Sequence, residues 1–424
     1  MSDSIEQRCK DSPRMARAWA MASFRMERFI NKHSFEPAQS TPGKRDQTLT
    51  IEHMGGKVET IEKLHSILLP SINDQLTSLL NSLDVIHPQK NPESEIGPTA
   101  QIISSLDKTL ESIVSSIVSL TLESLPDENH DYGLEKLKAF RCSYIRANVM
   151  YLVGDIIYGR LFPDLSTLIG RCSIAIYLTE DSEDWEEISR LRGLIAMSTA
   201  SSHRMINATI RWCQLSDWAL VQEGWLVASN SLDGILDTIL NSRTNFIEYT
   251  SELSRNGFDV NLNERSALLL EFVTEVAKSA IPIIKLGRIL TKRTSETIWK
   301  KRLLGSGGTD LNSETMERLY ETPHSIYNSL VGLSNHLFSL SSSPILTARQ
   351  QNEIRDSVVV FPKVMESTLS ALDACLFPIL PRLDDEPPEG RLKSLCPTLK
   401  QSWDLASDNL ISVISSFQVE RIGI

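Results

Sequence analysis

Seven basic side chains crowd one short stretch of the chain: Lys285, Arg288, Lys292, Arg293, Lys300, Lys301 and Arg302, opposed only by Glu296 and interleaved with Trp299. On a helix, Lys285, Arg288, Lys292 and Lys300 recur at three-to-eight-residue intervals and fall near one face. Such a stripe could hold the phosphates of a lipid headgroup or of nucleic acid. The plainer reading is favoured: a solvated face that pairs with neighbouring acids, as charge runs usually do.

Other residue types capable of chemistry lack the partners that chemistry requires. His130-Asp131 has the centre of a phosphohydrolase metal dyad, but no second His and Asp stand out around it, so an exposed loop pair is expected. Asp384-Asp385-Glu386 has the carboxylate density of a magnesium motif, yet Pro387 and Pro388 follow and favour a loop. Glu180, Asp181, Glu183, Asp184, Glu186 and Glu187 stand where a helix opens, and negative charge there is stabilised by the helix dipole without a metal.

Gly305-Ser306-Gly307-Gly308 has neither a preceding strand nor a following Gly-Lys-Ser/Thr, so it reads as a hinge and not as a phosphate loop. Leu304 stands where a serine-hydrolase elbow requires glycine. None of the eight histidines has another His three or four residues away. No cofactor, no metal and no catalytic residue is therefore expected.

Trp185, Trp212, Trp218 and Trp225 could anchor a partner helix, but aromatics at helical spacing usually face a core, and core packing is expected. Six cysteines lie far apart without a CxxC pair, five of them in apolar stretches, which suggests a reducing compartment. A net charge of -11 repels phosphate backbones and anionic membranes on average, so any contact with either must be local.

These side chains must be positioned by helices, because the 3.6-residue period dominates the chain. Ile103, Leu106, Leu110, Ile113, Ile117 and Leu120 form one apolar stripe, and similar stripes run through Trp185 to Leu226, Leu232 to Tyr249 and Leu268 to Leu303. Thr347 with Gln350 makes a capping box, and Asn263 stands as an N-cap before Glu264. Strand candidates, Ser173 to Thr179 and Val358 to Phe361, are isolated in helical surroundings. Prolines after apolar residues, in Leu69-Pro70, Phe162-Pro163, Ile281-Pro282, Phe361-Pro362 and Phe377-Pro378, predict kinked helices.

Lys278-Ser279-Ala280-Ile281-Pro282-Ile283-Ile284-Lys285-Leu286 and the final helix with Trp403, Ala406 and Asn409 resemble an expanded, uncharacterised family of helical proteins from plant-parasitic fungi. Leu68-Leu69-Pro70 to Leu83 is a third match, and the likeness runs from about residue 55 onwards. Its motifs are packing motifs, and the resemblance implies a helical fold without implying an activity. A fainter likeness to cyclin-D1-binding-protein-like helical bundles rests on architecture alone.

The expected fold is all-α: an elongated multi-helix bundle with kinked long helices and two subdomains. A basic tail spans 1–48, a first bundle unit 49–257 and a second 258–424. The expected function is a non-catalytic interaction or scaffold protein whose partner is another protein, working in the cytoplasm or nucleus. Its rivals are an anionic-surface binder using residues 285–302, and a helical enzyme whose site is assembled from distant residues. Arg17, Arg25 and Arg28, opposed only by Glu27, keep a mitochondrial presequence open. The longest apolar stretches are broken by charges, so no transmembrane segment is expected.

Overall fold

The computed structural model describes residues 56–85, 93–121, 131–175, 183–255, 262–303, 311–341, 346–379 and 392–417. The fold is all-α, and no strand occurs among the described residues. The expected tail at 1–48, Cys9, His130, Gly305 to Gly308 and Asp384 to Pro388 lie outside them. Trp185 is helical, but its side chain also lies outside what is described.

Helix α1 runs through Lys57–Lys63, a widened π turn at Leu64–Leu68 and Leu69–Val85; α2 is Glu93–Thr121. After a 3-10 turn at Tyr132–Leu137, α3 runs through Ala139–Met150, a π segment at Tyr151–Leu161 and Phe162–Ala175, and α4 is Glu183–Gln214. Then come α5 (Asp217–Arg255), α6 (Leu262–Leu303) and α7 (Ser313–Ser341). Helix α8 comprises Ala348–Val359 and Phe361–Ala371, ending in Leu372–Leu376 and Phe377–Ile379; α9 is Leu392–Ser416.

The bends have one physical cause. Each π turn ends one residue before an apolar-proline pair: Leu68 before Leu69-Pro70, Leu161 before Phe162-Pro163, Leu376 before Phe377-Pro378. Proline has no N–H for the carbonyl four residues back, and a widened turn lets the backbone re-pair around that gap. Pro362 begins the second arm of α8 instead, where the first turn lacks intrahelical partners in any case. Thr347 and Gln350 form the expected capping box at the start of α8. Helix α6 begins at Leu262, so Asn263 lies inside the first turn and is not its N-cap. The strand candidates are helical as far as Ala175 and Val359.

The chain divides into two compact units at Leu215–Ser216. This corrects the expected boundary between 257 and 258. The apolar stripe from Trp185 to Leu226 is two helices, α4 and α5, separated by Leu215 and Ser216. Ser216 Oγ accepts the Ala219 N–H at 3.3 Å as an N-cap, and Asp217 supplies first-turn acid. Helix α5 packs on α6 and α7, which places it in the second unit.

In the first unit, α1 packs on α2 and α4, and α3 packs on α2 and α4. The buried Arg141 guanidinium closes the C-terminus of α4, donating to the carbonyls of Trp212 (3.0 Å), Cys213 (3.4 Å) and Leu215 (2.8 Å). Tyr144 stacks on Trp212 beside it at 3.6 Å. Trp212 is therefore core, as are Trp218 and Trp225 of α5.

In the second unit, α9 packs on α6 and α8, and α7 packs on α5 and α8. Gly287 marks where four helices converge: a Cβ there would meet Ile326 Cγ2 at 3.2 Å, Trp403 Cζ3 at 3.5 Å and Leu232 Cδ1 at 3.6 Å. This close packing fixes which side of α6 is turned inward.

Candidate functional site

Helix α6 buries Ile283, Ile284, Leu290, Thr291, Thr294, Ser295 and Ile298, and the opposite side of the same stretch is exposed. At 3.6 residues per turn, Lys285, Ile289, Lys292, Glu296, Trp299 and Leu303 fall within an arc of about 80° on that outer side. Three of the six are large apolar residues: Ile289 is 44% exposed, Trp299 49% and Leu303 65%. The site is thus a mixed face, three apolar residues interspersed with three charges, and not a purely basic stripe.

The structure separates the seven basic residues by environment. Lys285, Lys292, Arg293, Lys300 and Arg302 are exposed, and Arg288 and Lys301 are half-buried. Arg288 Nε lies 2.8 Å from Asp233 Oδ1 on α5, Arg293 Nη1 lies 3.3 Å from Glu296 Oε2, and Arg302 Nη1 donates to Gln222 Oε1 at 2.5 Å. Arg288 and Arg302 thereby tie the edge of α6 to α5. Lys285 and Lys292 lie on the outer arc itself.

Ile289 and Leu303 are the residues that a search for basic patches misses. Their signal is periodic: the outer arc advances by alternating intervals of four and three residues, the spacing of a helix seam, and its flanks are charged.

The remaining candidates resolve into structural roles. Asp131 is fully buried, which corrects the expected exposed loop pair: its carboxylate accepts the Ala139 N–H at 3.0 Å and caps the start of α3. Glu187 accepts two bonds from Arg190, each 2.7 Å, and these hold its carboxyl below the usual range. No group of three or more His, Cys, Asp or Glu side chains able to hold a metal occurs among the described residues.

In the first unit a surface groove of about 620 Å³ is lined by Thr60, Lys63, Lys108, Glu111 and four serines of α2. Three of those serines, Ser112, Ser116 and Ser119, donate their hydroxyl protons to carbonyls of their own helix. They compose a solvated small-residue surface. Tyr158 donates to Asp107 at 2.9 Å inside the core, joining α3 to α2. Burial and that neighbouring carboxylate push the phenol upwards, so it stays protonated.

Cys142, Cys213, Cys375 and Cys396 are buried free thiols. Burial pushes Cys142 up to about 12 and both Cys213 and Cys396 up to about 11. They pack as small hydrophobes, protonated and poorly nucleophilic. Among the described residues, no helix is long and apolar enough to cross a membrane.

Comparison with known proteins follows the same division into units. Residues 57–214 match a family described as a domain of unknown function (DUF8723), and residues 216–412 match a second domain of unknown function (DUF8721). The junction between the two matches coincides with the break between α4 and α5. No curated protein matches the chain. No solved structure matches it.

Proposed function

We propose that the chain is a non-catalytic helical scaffold and that the outer face of α6 is a surface through which it engages another protein. The observation that carries this reading is the exposure of Ile289, Trp299 and Leu303 along one charged helical face. A half-exposed tryptophan framed by aliphatic and basic side chains has the composition of an interface centre. Reduced, buried thiols at Cys142, Cys213, Cys375 and Cys396 fit work in the cytoplasm or nucleus.

The test is quantitative affinity purification of the full chain, and of its Trp299→Ala/Leu303→Ala variant, from cells that make it. A defined set of proteins should co-purify with the parent and be lost with the variant, while the thermal unfolding of the two chains coincides. Equal recovery with both would overturn the assignment of the surface.

A further inference from the structure

We infer that the face of α6 is built to receive an acidic amphipathic helix of another protein, an inference that rests on the interaction reading above and names the chemistry of its partner. The argument begins with spacing. From Lys285 to Leu303 the outer positions advance by four, three, four, three and four residues. That is the interval pattern of side chains meeting a second helix along a shared seam, over roughly 27 Å at 1.5 Å per residue.

Charge selects the sign of the partner. Seven bases stand against one acid between Lys285 and Arg302, on a chain whose net charge is -11. Arg288 is neutralised by Asp233 and Arg293 leans on Glu296, but the bond from Arg302 goes to a neutral amide and leaves its charge uncompensated. Lys285 and Lys292, exposed on the seam, add two further cations. A helix with Asp or Glu opposite these, apolar residues opposite Ile289, Trp299 and Leu303, and one base opposite Glu296 would satisfy every position of the seam.

Other occupants fit less well. A bilayer requires a contiguous apolar face, and here Lys292 and Glu296 interrupt the arc between Ile289 and Trp299. Nucleic acid would leave Ile289 and Leu303 unburied and place Glu296 against phosphate. An antiparallel second copy would oppose Lys292 to Glu296 and Ile289 to Trp299, yet it would also bring two strongly cationic segments together at contact distance.

The test uses the full chain and a fluorescein-labelled synthetic peptide of about three heptads, with Leu placed to meet Ile289, Trp299 and Leu303, Glu placed to meet Lys285, Lys292 and Arg302, and one Arg placed to meet Glu296. Binding in the micromolar range is expected, as befits a short single-helix interface, and it should weaken with added salt. Trp299→Ala with Leu303→Ala should weaken it at least about tenfold, the loss typical of removing an interface centre. Lys292→Glu should weaken binding of the Glu peptide and strengthen binding of a version with Lys in place of Glu, an exchange that a general loss of folding cannot produce.

Equal binding of a scrambled peptide would overturn the inference. So would binding to vesicles containing phosphatidylserine without binding to the peptide, or concentration-dependent dimerisation that Trp299→Ala abolishes. Loss of native partners on mutation, combined with indifference to the acidic peptide, would leave the interaction surface standing and remove the acidic helix alone.

Discussion

The indole N–H of Trp225 on α5 donates to the backbone carbonyl of Leu319 on α7 at 2.9 Å. Leu319 is four residues before Pro323, inside a continuous helix, so its carbonyl has no intrahelical N–H to accept. One side chain therefore fills the hydrogen-bond vacancy that a proline opens in a neighbouring helix.

Trp225→Phe keeps an aromatic ring but removes the donor, leaving a buried carbonyl unsatisfied. The expected cost is about 1–3 kcal/mol in the second unit, read from denaturant unfolding. In a Trp225→Phe/Pro323→Ala double variant, the second substitution restores the missing backbone N–H. The two changes should be non-additive, the double variant recovering part of the loss.

Beside Trp225, Gly224 presses on the same helix: a Cβ there would lie 2.9 Å from Tyr320 Cδ2 and 3.3 Å from the Tyr320 carbonyl oxygen. Alanine improves helix propensity by about 1 kcal/mol, but the clash involves a ring and a backbone atom that cannot both retreat. Gly224→Ala should therefore be net destabilising, by about 1–2 kcal/mol. Gly287→Ala, whose nearest neighbour is a side-chain methyl at 3.2 Å, should be close to neutral. Thermal unfolding of the pair checks the order.

How much of this could be read from the sequence depended on range. Helices announce themselves through local periodicity, and the Thr347–Gln350 capping box and the proline bends are local too. The division between units was missed because a break of two residues, Leu215 and Ser216, does not interrupt a periodic pattern; only Ser216-Asp217, as cap and first-turn acid, betrays it. Asp131 sits in a polar segment that reads as loop, and the amide it caps, that of Ala139, lies eight residues further on, beyond the reach of a local capping pattern. On α6 the basic residues were visible at once. The exposure of Ile289 and Leu303 was not, since apolar residues are assigned inward until packing, here around Gly287, shows which side is full.

Arg141 offers a second test of buried polar closure. Its guanidinium serves three carbonyls at the end of α4 through a single terminal nitrogen, Nη2, which stands one bond farther from the backbone than a lysine ammonium reaches. Arg141→Met should destabilise the first unit by about 2–4 kcal/mol, and Arg141→Lys should recover only a minority of that loss. Amide hydrogen exchange in the last turn of α4 should accelerate in both variants.

The buried thiols give a pH signature. An unfolded chain ionises its cysteines near 9.0, whereas Cys142 is pushed up to about 12 and Cys213 to about 11. Above pH 9 the unfolded state therefore releases protons that the folded state retains, and stability falls as pH rises through that window. The slope approaches about 1.4 kcal/mol per pH unit for each such thiol. Cys142→Ala/Cys213→Ala should reduce it by the share of these two thiols, leaving that of Cys396. In the native chain at about pH 8, below the thiol range, both thiols should react with a disulfide reagent only as fast as the first unit opens.

The central claim is that the outer face of α6 meets a protein partner, and site-specific photo-crosslinking in cells that make the chain tests it most directly. A photoreactive phenylalanine analogue placed at Trp299 or Leu303 should give discrete higher-mass adducts, whereas the same analogue at Leu405, equally exposed on α9 of the same unit, should give none. Adducts of equal yield at all three positions, or at Leu405 alone, would contradict the account.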